Sequence, residues 1–439
     1  MSTPTSPQIG RWTPVLRSWL DTAAREAGFA LAGVASIPAS RDDAAARRFS
    51  DWVDRGHAGE MEYLKRRDDS GTLLRSSVSA AFPWARSVIV CALDYNSGAV
   101  RSIDAYPPTA GWIARYALSG YATGSREISP ADYHDDLLAR LRRIETGLIA
   151  QCSCDSRCYV DTGPLVERNV AAGAGIGWIG KNTCLISQEL GSWLLLGVLL
   201  TSLPLEECNG ASDATGAANS IALPAADRCG TCTRCIDACP TGALLGARSA
   251  AAPREMDASR CIAYLTIEKK GEIAEELRAP IGRNVFGCDI CQEVCPWNAK
   301  AAMAHDVAQG LRTEASAPAM QPRAELVNPD LSWFAEMDSR EFRRRFRGSP
   351  LERTGRKRLL RNVAIAMGNS GDRRFIPKLE EWIGAQTSDH RNDVAIRNAA
   401  MWARKQILAR EVGATAQSSG RKAAPTAAPE SPNPSASLE

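Results

Sequence analysis

Cys229, Cys232, Cys235 and Cys239, followed by Pro240, read C-x2-C-x2-C-x3-C-P. Thiolates at that spacing do iron–sulfur chemistry: three hold one [4Fe-4S] cluster and the fourth crosses to a second. A second run, Cys288, Cys291 and Cys295 with Pro296, reads C-x2-C-x3-C-P and lacks its first cysteine. Cys261 is the nearest candidate upstream. The count then closes crosswise, with Cys229, Cys232, Cys235 and Cys295 in one set and Cys239, Cys261, Cys288 and Cys291 in the other. Four thiolates also suit zinc. Zinc sites usually come as separated C-x2-C pairs, without the third cysteine or the C-P ending, so the pattern favours iron–sulfur.

Asp161 is the acid that stands out. It ends a strand pattern, Cys158 to Asp161, beside the turn Thr162-Gly163-Pro164, a place where sheet proteins put functional groups. The competing role is an ordinary cap of the helix expected from Leu165 to Ala172. Gly175-Ile-Gly177-Trp-Ile-Gly180 matches G-x-G-x-x-G, and with Lys181 it approaches a P-loop. The glycines follow a helix instead of a strand, and Asn182 stands where Mg²⁺ needs Ser or Thr, so nucleotide binding is not expected. What they do imply is close backbone approach to something flat or bulky.

These groups must be carried by more than one unit. The chain has 439 residues, 14 cysteines and a net charge of +3, which suits two to four domains and excludes a polycation. A chain this long is no small disulfide scaffold. Residues 1–14 hold no apolar run, so no secretory signal is expected. Trp193 to Leu200 is too short to span a bilayer. The expectation is a cytoplasmic protein with no membrane partner. Helices are expected over 15–27, 43–66 and 135–149, and strands over Phe29–Val34, Ser87–Leu93 and Ser192–Leu200. That alternation predicts an α/β domain over 1–205.

Residues 206–226 read as a linker or loop, 227–300 as a ferredoxin-type module with two [4Fe-4S] clusters, and 301–327 as a second linker. From 328 to 411 the pattern is all helical, with units near 353–368 and 392–410 that resemble HEAT repeats. Residues 412–439, rich in Ala, Ser and Pro, read as a disordered tail. Between Arg340 and Arg361 ten basic residues face only Glu341 and Glu352, a local charge of +8. The bland reading is a solvated helix face. The functional one is a phosphate-binding surface.

Tyr159-Val-Asp161-Thr-Gly-Pro164-Leu-Val-Glu167-Arg168, then Gly177-Trp-Ile-Gly-Lys181-Asn182-Thr, then Cys261-Ile-Ala-Tyr264-Leu-Thr266-Ile-Glu268 among the eight cysteines, and finally Leu360-Arg361-Asn362-Val-Ala-Ile-Ala-Met-Gly368-Asn369 closely resemble epoxyqueuosine reductases. The resemblance runs in order from about residue 12 to 410. It implies a cobalamin on the α/β domain, two clusters beside it, and a HEAT-like tRNA-binding domain. No D-x-H-x-x-G cobalamin motif exists here, since Asp132-Tyr-His134 lacks the glycine. In the family the cofactor has no histidine as lower ligand. By the same resemblance Asp161 is the proton donor. Arg75, Arg115 (in Ala114-Arg115-Tyr116), Asp161, Lys181, Asn182 and Tyr264 border the cofactor and substrate. Arg353, Arg356, Lys357, Arg358 and Arg361 are the expected tRNA contacts. Residues 119–131 and 206–226 look longer than the family's usual loops, and Cys184 stands where Asn or Ser is commoner.

The reaction implied is reduction of the epoxide of epoxyqueuosine, at the wobble position of a tRNA anticodon, to queuosine. Clusters deliver electrons one at a time, cobalamin collects them, and an acid protonates the departing oxygen. An electron donor of the flavodoxin or ferredoxin class and a monomeric state are expected. The rivals are a reductive dehalogenase-like corrinoid reductase and a non-catalytic ferredoxin-type electron-transfer protein. The first carries a twin-arginine export signal and no basic helical tail, and the second leaves 200 residues unexplained.

Overall fold

The computed structural model describes residues 10–38, 44–96, 101–102, 107–123, 127–205, 226–246, 254–301, 321–384 and 394–419. Nearly all of the 206–226 loop, most of the 301–327 linker and the end of the tail from residue 420 lie outside the described residues.

Four strands form the central sheet: β1 Leu31–Ser36, β2 Ser87–Asp94, β3 Ser156–Tyr159 and β4 Leu194–Thr201. Their order is β1-β2-β4-β3, and every neighbouring pair is antiparallel. Strands and helices alternate along the chain, yet no parallel crossover joins these four. The apolar runs of β2 and β4 follow from burial on both faces. On one face Val34, Ile89, Cys91, Leu195 and Leu199 pack against α1 (Pro14–Glu26) and α2 (Tyr133–Gln151) through Leu16, Leu20, Leu137, Leu141 and Leu148. On the other, Ala35, Val88, Val90 and Leu200 meet Leu165, Ala171 and Ala174 at α3 (Glu167–Gly173). The period of two sorts each strand between the faces, and burying each such side chain contributes about 1.5–3 kcal/mol.

Two expectations change here. The helix expected over 43–66 spans only Ala44–Asp54, because Gly56 and Gly59 take positive φ and break it. In the insertion at 119–131, described residues form strand. Ser119–Thr123 pairs antiparallel with Glu127–Pro130, and Gln321–Pro322 adds a third strand.

The cysteine region holds two short helices, Arg234–Ala238 and Ile290–Glu293. The insert between them carries the helix Ile262–Ile267 and the strand Asn284–Phe286, which pairs parallel with Trp112–Ile113. The tail contributes α4 (Gly355–Ser370), α5 (Ile376–Gly384) and α6 (Val394–Ser419), so residues 412–419, expected to be disordered, continue a helix. Insert and tail share one core, in which Leu265, Val285 and Phe286 pack with Phe334, Val363, Ala403 and Ile407.

Polar side chains of α4 bolt the two together. Arg361, 1% exposed, donates to the carbonyls of Leu265, Lys269 and Gly271. Asn362 donates to those of Thr266 and Val285, and Asn369 to those of Arg278 and Gly282. These forks give further donors to carbonyls of the insert, where the fold packs it against α4.

Candidate active site and cluster module

The thiols fall into two groups. Cys235 is surrounded by Cys295, Cys229 and Cys232, while Cys288 is surrounded by Cys261 and Cys239. Cys291 has Cys288 and Cys261 as further thiol neighbours. The long insert that separates Cys261 from Cys288 therefore returns to its own start. Cys229, Cys232, Cys235 and Cys295 line a cavity of about 320 Å³ with Lys181, Asn182, Arg228, Arg234, Trp297 and Lys300. A mononuclear ion needs no such volume; a four-iron cubane does. The Asn182 amide nitrogen is buried with no protein acceptor, and a sulfide of a bound cluster would supply one. Around the second group a fifth thiol appears. Cys184 is hydrogen-bonded to Cys291, which lowers its pKa despite burial, and Arg168 adds to the effect.

A different face carries the acid. Asp161 follows β3 with φ 53°, one of three described non-glycine residues with positive φ, a costly conformation that functional sites tolerate. Its carboxylate is about half exposed and stands 3.8 Å from His134 Nε2. Tyr133 donates a short hydrogen bond to Asp161 Oδ2. Burial first, and then Asp161, push the Tyr133 phenol well up, so it stays a donor. Asp132 caps α2 by accepting from His134 N–H at 3.0 Å, and its Oδ1 lies 2.6 Å from His134 Nδ1. The start of α2 thus aims two side chains at Asp161.

From the other side Glu167 Oε1 accepts the Asp161 N–H at 2.6 Å. Burial, and then the Asp161 charge, raise Glu167 well above the usual carboxylate range, with Arg75 opposing. Asp161 is not a helix cap: α3 starts at Glu167 with Val166 before it, and no side chain caps it.

The element Ala114-Arg115-Tyr116 joins the two regions. Arg115 N–H donates to Asp289 Oδ2 at 2.6 Å, between Cys288 and Cys291. The next ring, Tyr116, packs edge-on against Tyr133 at 5.8 Å. The Arg115 guanidinium sits 4.8 Å over Trp193. Burial raises Asp289 to about 7, against the opposing Arg115 N–H.

Models of two families match the chain: "4Fe-4S double cluster binding domain" over residues 228–298 and "Epoxyqueuosine reductase QueG, DUF1730" over 75–162. The epoxyqueuosine reductase of Xanthomonas campestris pv. campestris is 36% identical over 391 residues, 88% of this chain and 94% of its own length. The chain belongs to the epoxyqueuosine reductase family. The enzyme is accordingly an oxidoreductase. The Pseudomonas aeruginosa relative is 35% identical, covering 85% of this chain and 89% of its own. An epoxyqueuosine reductase solved with a tRNA-Tyr epoxyqueuosine-modified stem loop aligns with a TM-score of 0.69 at 29% identity, over 92% of this chain and 94% of that one. The Bacillus subtilis structure, whose aspartate catalytic loop is swung out of the active site, aligns at 0.68 and 29% identity, over 93% and 95%.

Set against the residues expected to act in this family, the structure keeps some together and moves others. Arg75 lies beside Asp161 and Glu167 and donates to the Leu165 carbonyl at 3.1 Å. Lys181, expected at the cobalamin, is 1% exposed and donates to Gly230 O at 2.8 Å, so it and Asn182 serve the first cysteine cavity. Tyr264 is buried, and its hydroxyl accepts the Glu60 N–H at 2.8 Å, which withdraws it from the reacting face. Gly177 and Gly180 approach a partner, but it is their own hairpin: added Cβ atoms would stand 2.1 Å from Ile186 O and 2.4 Å from Ile186 Cδ1.

Arg361 is a correction. Its guanidinium is consumed inside the fold and cannot meet RNA. Arg356 and Arg358 also spend donors on the carbonyls of Met337, Thr354 and Ile267. Arg353 is bridged to Glu268 at 2.6 Å, and Lys357 is exposed. Tyr133, His134 and Glu167 were missed as site residues. The signal lies in the sequence, since Asp132-Tyr-His134 falls in a near-match to a cobalamin motif and Glu167 stands within the Tyr159–Arg168 stretch.

Proposed function

We propose that this chain reduces the epoxide of tRNA-borne epoxyqueuosine to the alkene of queuosine, with Asp161 protonating the departing oxygen. The observation that carries this reading is the continuous contact from Asp289, between two cluster cysteines, through Arg115 and Tyr116 to Tyr133 and Asp161. It brings an electron-storing module and a proton-holding site to one place. Cobalamin, when bound, would supply low-potential reducing chemistry for the epoxide. Arg75, Arg115 and Tyr116 are the residues that would hold it, since aromatic and guanidinium groups suit a flat ring edged with amides.

The chain's own groups account for the proton. Glu167 faces Asp161, and burial, then the Asp161 charge, keeps a proton on Glu167 above the usual carboxylate range. Tyr133 fixes the Asp161 carboxylate by donating to Oδ2. The pair gives up the proton as the oxygen leaves, and His134, 3.8 Å from Asp161, stands where a replacement can arrive. Two thiolate sets suit two [4Fe-4S] clusters, which pass the two electrons singly. The HEAT-like tail is read as an RNA surface built on its exposed cations.

The test is an assay of epoxyqueuosine-containing tRNA with reconstituted enzyme, cobalamin and a chemical reductant. Queuosine is the expected product, and its absence with both cofactors loaded would refute this reading.

A further inference from the structure

The two cysteine groups are not equally placed. Those of the first line a cavity at the surface, whose mouth is formed by exposed Arg228, Arg234, Pro296 and Lys300. No member of the second group lines it, and that group instead adjoins Asp289 and, through Arg115, the reacting face. Electrons bound for Asp161's side therefore enter at the first group.

The entrance has a charge and a shape. Among the described residues no carboxylate forms an ion pair with Arg228, Arg234 or Lys300. The nearby Asp227 is bridged to Arg254, and Asp237 accepts from Thr233 at 2.6 Å. Lys300 lies 5.4 Å over the Trp297 ring, and Trp297 packs edge-on against Trp178 at 5.1 Å. An aromatic platform with an arginine and lysine rim is the composition of a protein contact surface. Set at the mouth of the first cysteine cavity, the three cations lie where a redox partner would need to dock. They are enough to steer a small acidic protein, whose encounter rate responds strongly to a few charges.

We propose that Arg228, Arg234 and Lys300 around Trp297 form the docking surface for an acidic one-electron carrier of flavodoxin type, which reduces the cluster of Cys229, Cys232, Cys235 and Cys295. This rests on the redox reading above. Each docking transfers one electron, and the carrier is oxidised by one electron. Two dockings supply two electrons, which with two protons turn the epoxide into an alkene and water. The contact is small and transient, as electron-transfer encounters are.

The experiment mixes reduced flavodoxin with cluster-loaded enzyme in a stopped-flow instrument and follows cluster bleaching at low and high salt. No tRNA is present. For the triple variant Arg228→Glu, Arg234→Glu, Lys300→Glu, the second-order rate constant at low salt should fall about 10-fold or more, and its salt dependence should flatten. Iron should still load, and the clusters should still bleach fully with dithionite. An unchanged rate with flavodoxin overturns the proposal. So does a variant that keeps the carrier rate but loses affinity for the tRNA stem loop, because the rim is then an RNA surface. If the triple variant loads iron poorly, Arg234→Glu and Lys300→Glu singly give the same reading, each with a smaller effect. Failure of the epoxide reading shows separately, as absence of queuosine from dithionite-driven parent enzyme.

Discussion

Asp161 shows how a sequence can point at a residue and leave its partners dark. The strand-end acid beside Gly163-Pro164 was visible, and the cap alternative was its rival. The structure removes the cap, since α3 starts six residues later at Glu167. Asp161→Asn should then reduce turnover by roughly 10²-fold or more, as expected for a lost general acid, with an unchanged melting temperature and unchanged tRNA binding. An Asn variant with near-parental turnover would show that the proton comes from elsewhere. Glu167 gives a pH prediction. Its pKa is raised in the folded state, so its protonated form stabilises the fold fully below the unfolded value. That contribution is lost as pH rises through the folded value. Activity should fall in the same direction, because Glu167 loses its proton. Glu167→Gln keeps an acceptor for the Asp161 N–H and removes the raised group. Its descending rate limb should move to lower pH, and its melting temperature should depend less on pH above the carboxylate range. An unmoved limb would separate Glu167 from the proton. The partners were hard to read because their relation is made by tertiary contact: Tyr133 lies 28 residues from Asp161 in sequence and touches it only through the packing of α2 on the sheet.

At the scale of elements, helix and strand positions were mostly legible, because β2 and β4 are continuous apolar runs of strand length and α1 carries one apolar stripe. Strand direction was not, since alternation of helix and strand carries no information about antiparallel return. The basic stretch from Arg340 to Arg361 was legible as charge but not as surface. Position along α4 decides which cations meet water. Arg361 points into the insert, and Arg361→Lys keeps charge while losing the fork to three carbonyls. It should cost roughly 3 kcal/mol or more, the scale of breaking a buried charged network, seen as a lower midpoint in denaturant. A Lys variant of parental stability would show the fork to be dispensable. Exposed Arg343, Arg347 and Lys357 are better placed for RNA. Reversing all three should weaken stem-loop binding and reduce the salt slope by about two to three, since each lost phosphate contact removes ~0.7–0.9 from it. Equal affinities at low salt would mark a merely solvated face.

Over the whole molecule, seven of the eight candidate cluster cysteines stand out by local ligand spacing, whereas Cys261 follows only from the count and the neighbourhood of Cys184 has no sequence signal. Anaerobic reconstitution should load about eight irons per chain. Cys261→Ala should lose about four of them, and Cys184→Ala should lose none. Loss of iron from the Cys184 variant with retention in the Cys261 variant would exchange their roles. The division into separate modules was less legible, because Leu265 and Phe286 of the insert share a core with Val363 and Ile407, and apolar pattern alone does not say which segment a buried face meets. The crossed grouping of thiols has a consequence for how the protein is made. On the ribosome the set that begins first, with Cys229, is completed last, when Cys295 emerges. The second set closes four residues earlier, at Cys291. Neither site exists while the insert is being synthesised, and the Arg361 fork that fastens the insert follows about 70 residues after Cys291. Metal delivery must therefore wait until Cys291 and Cys295 have emerged, and a ribosome stalled inside the insert would present open thiols to oxygen with no complete set to hold metal.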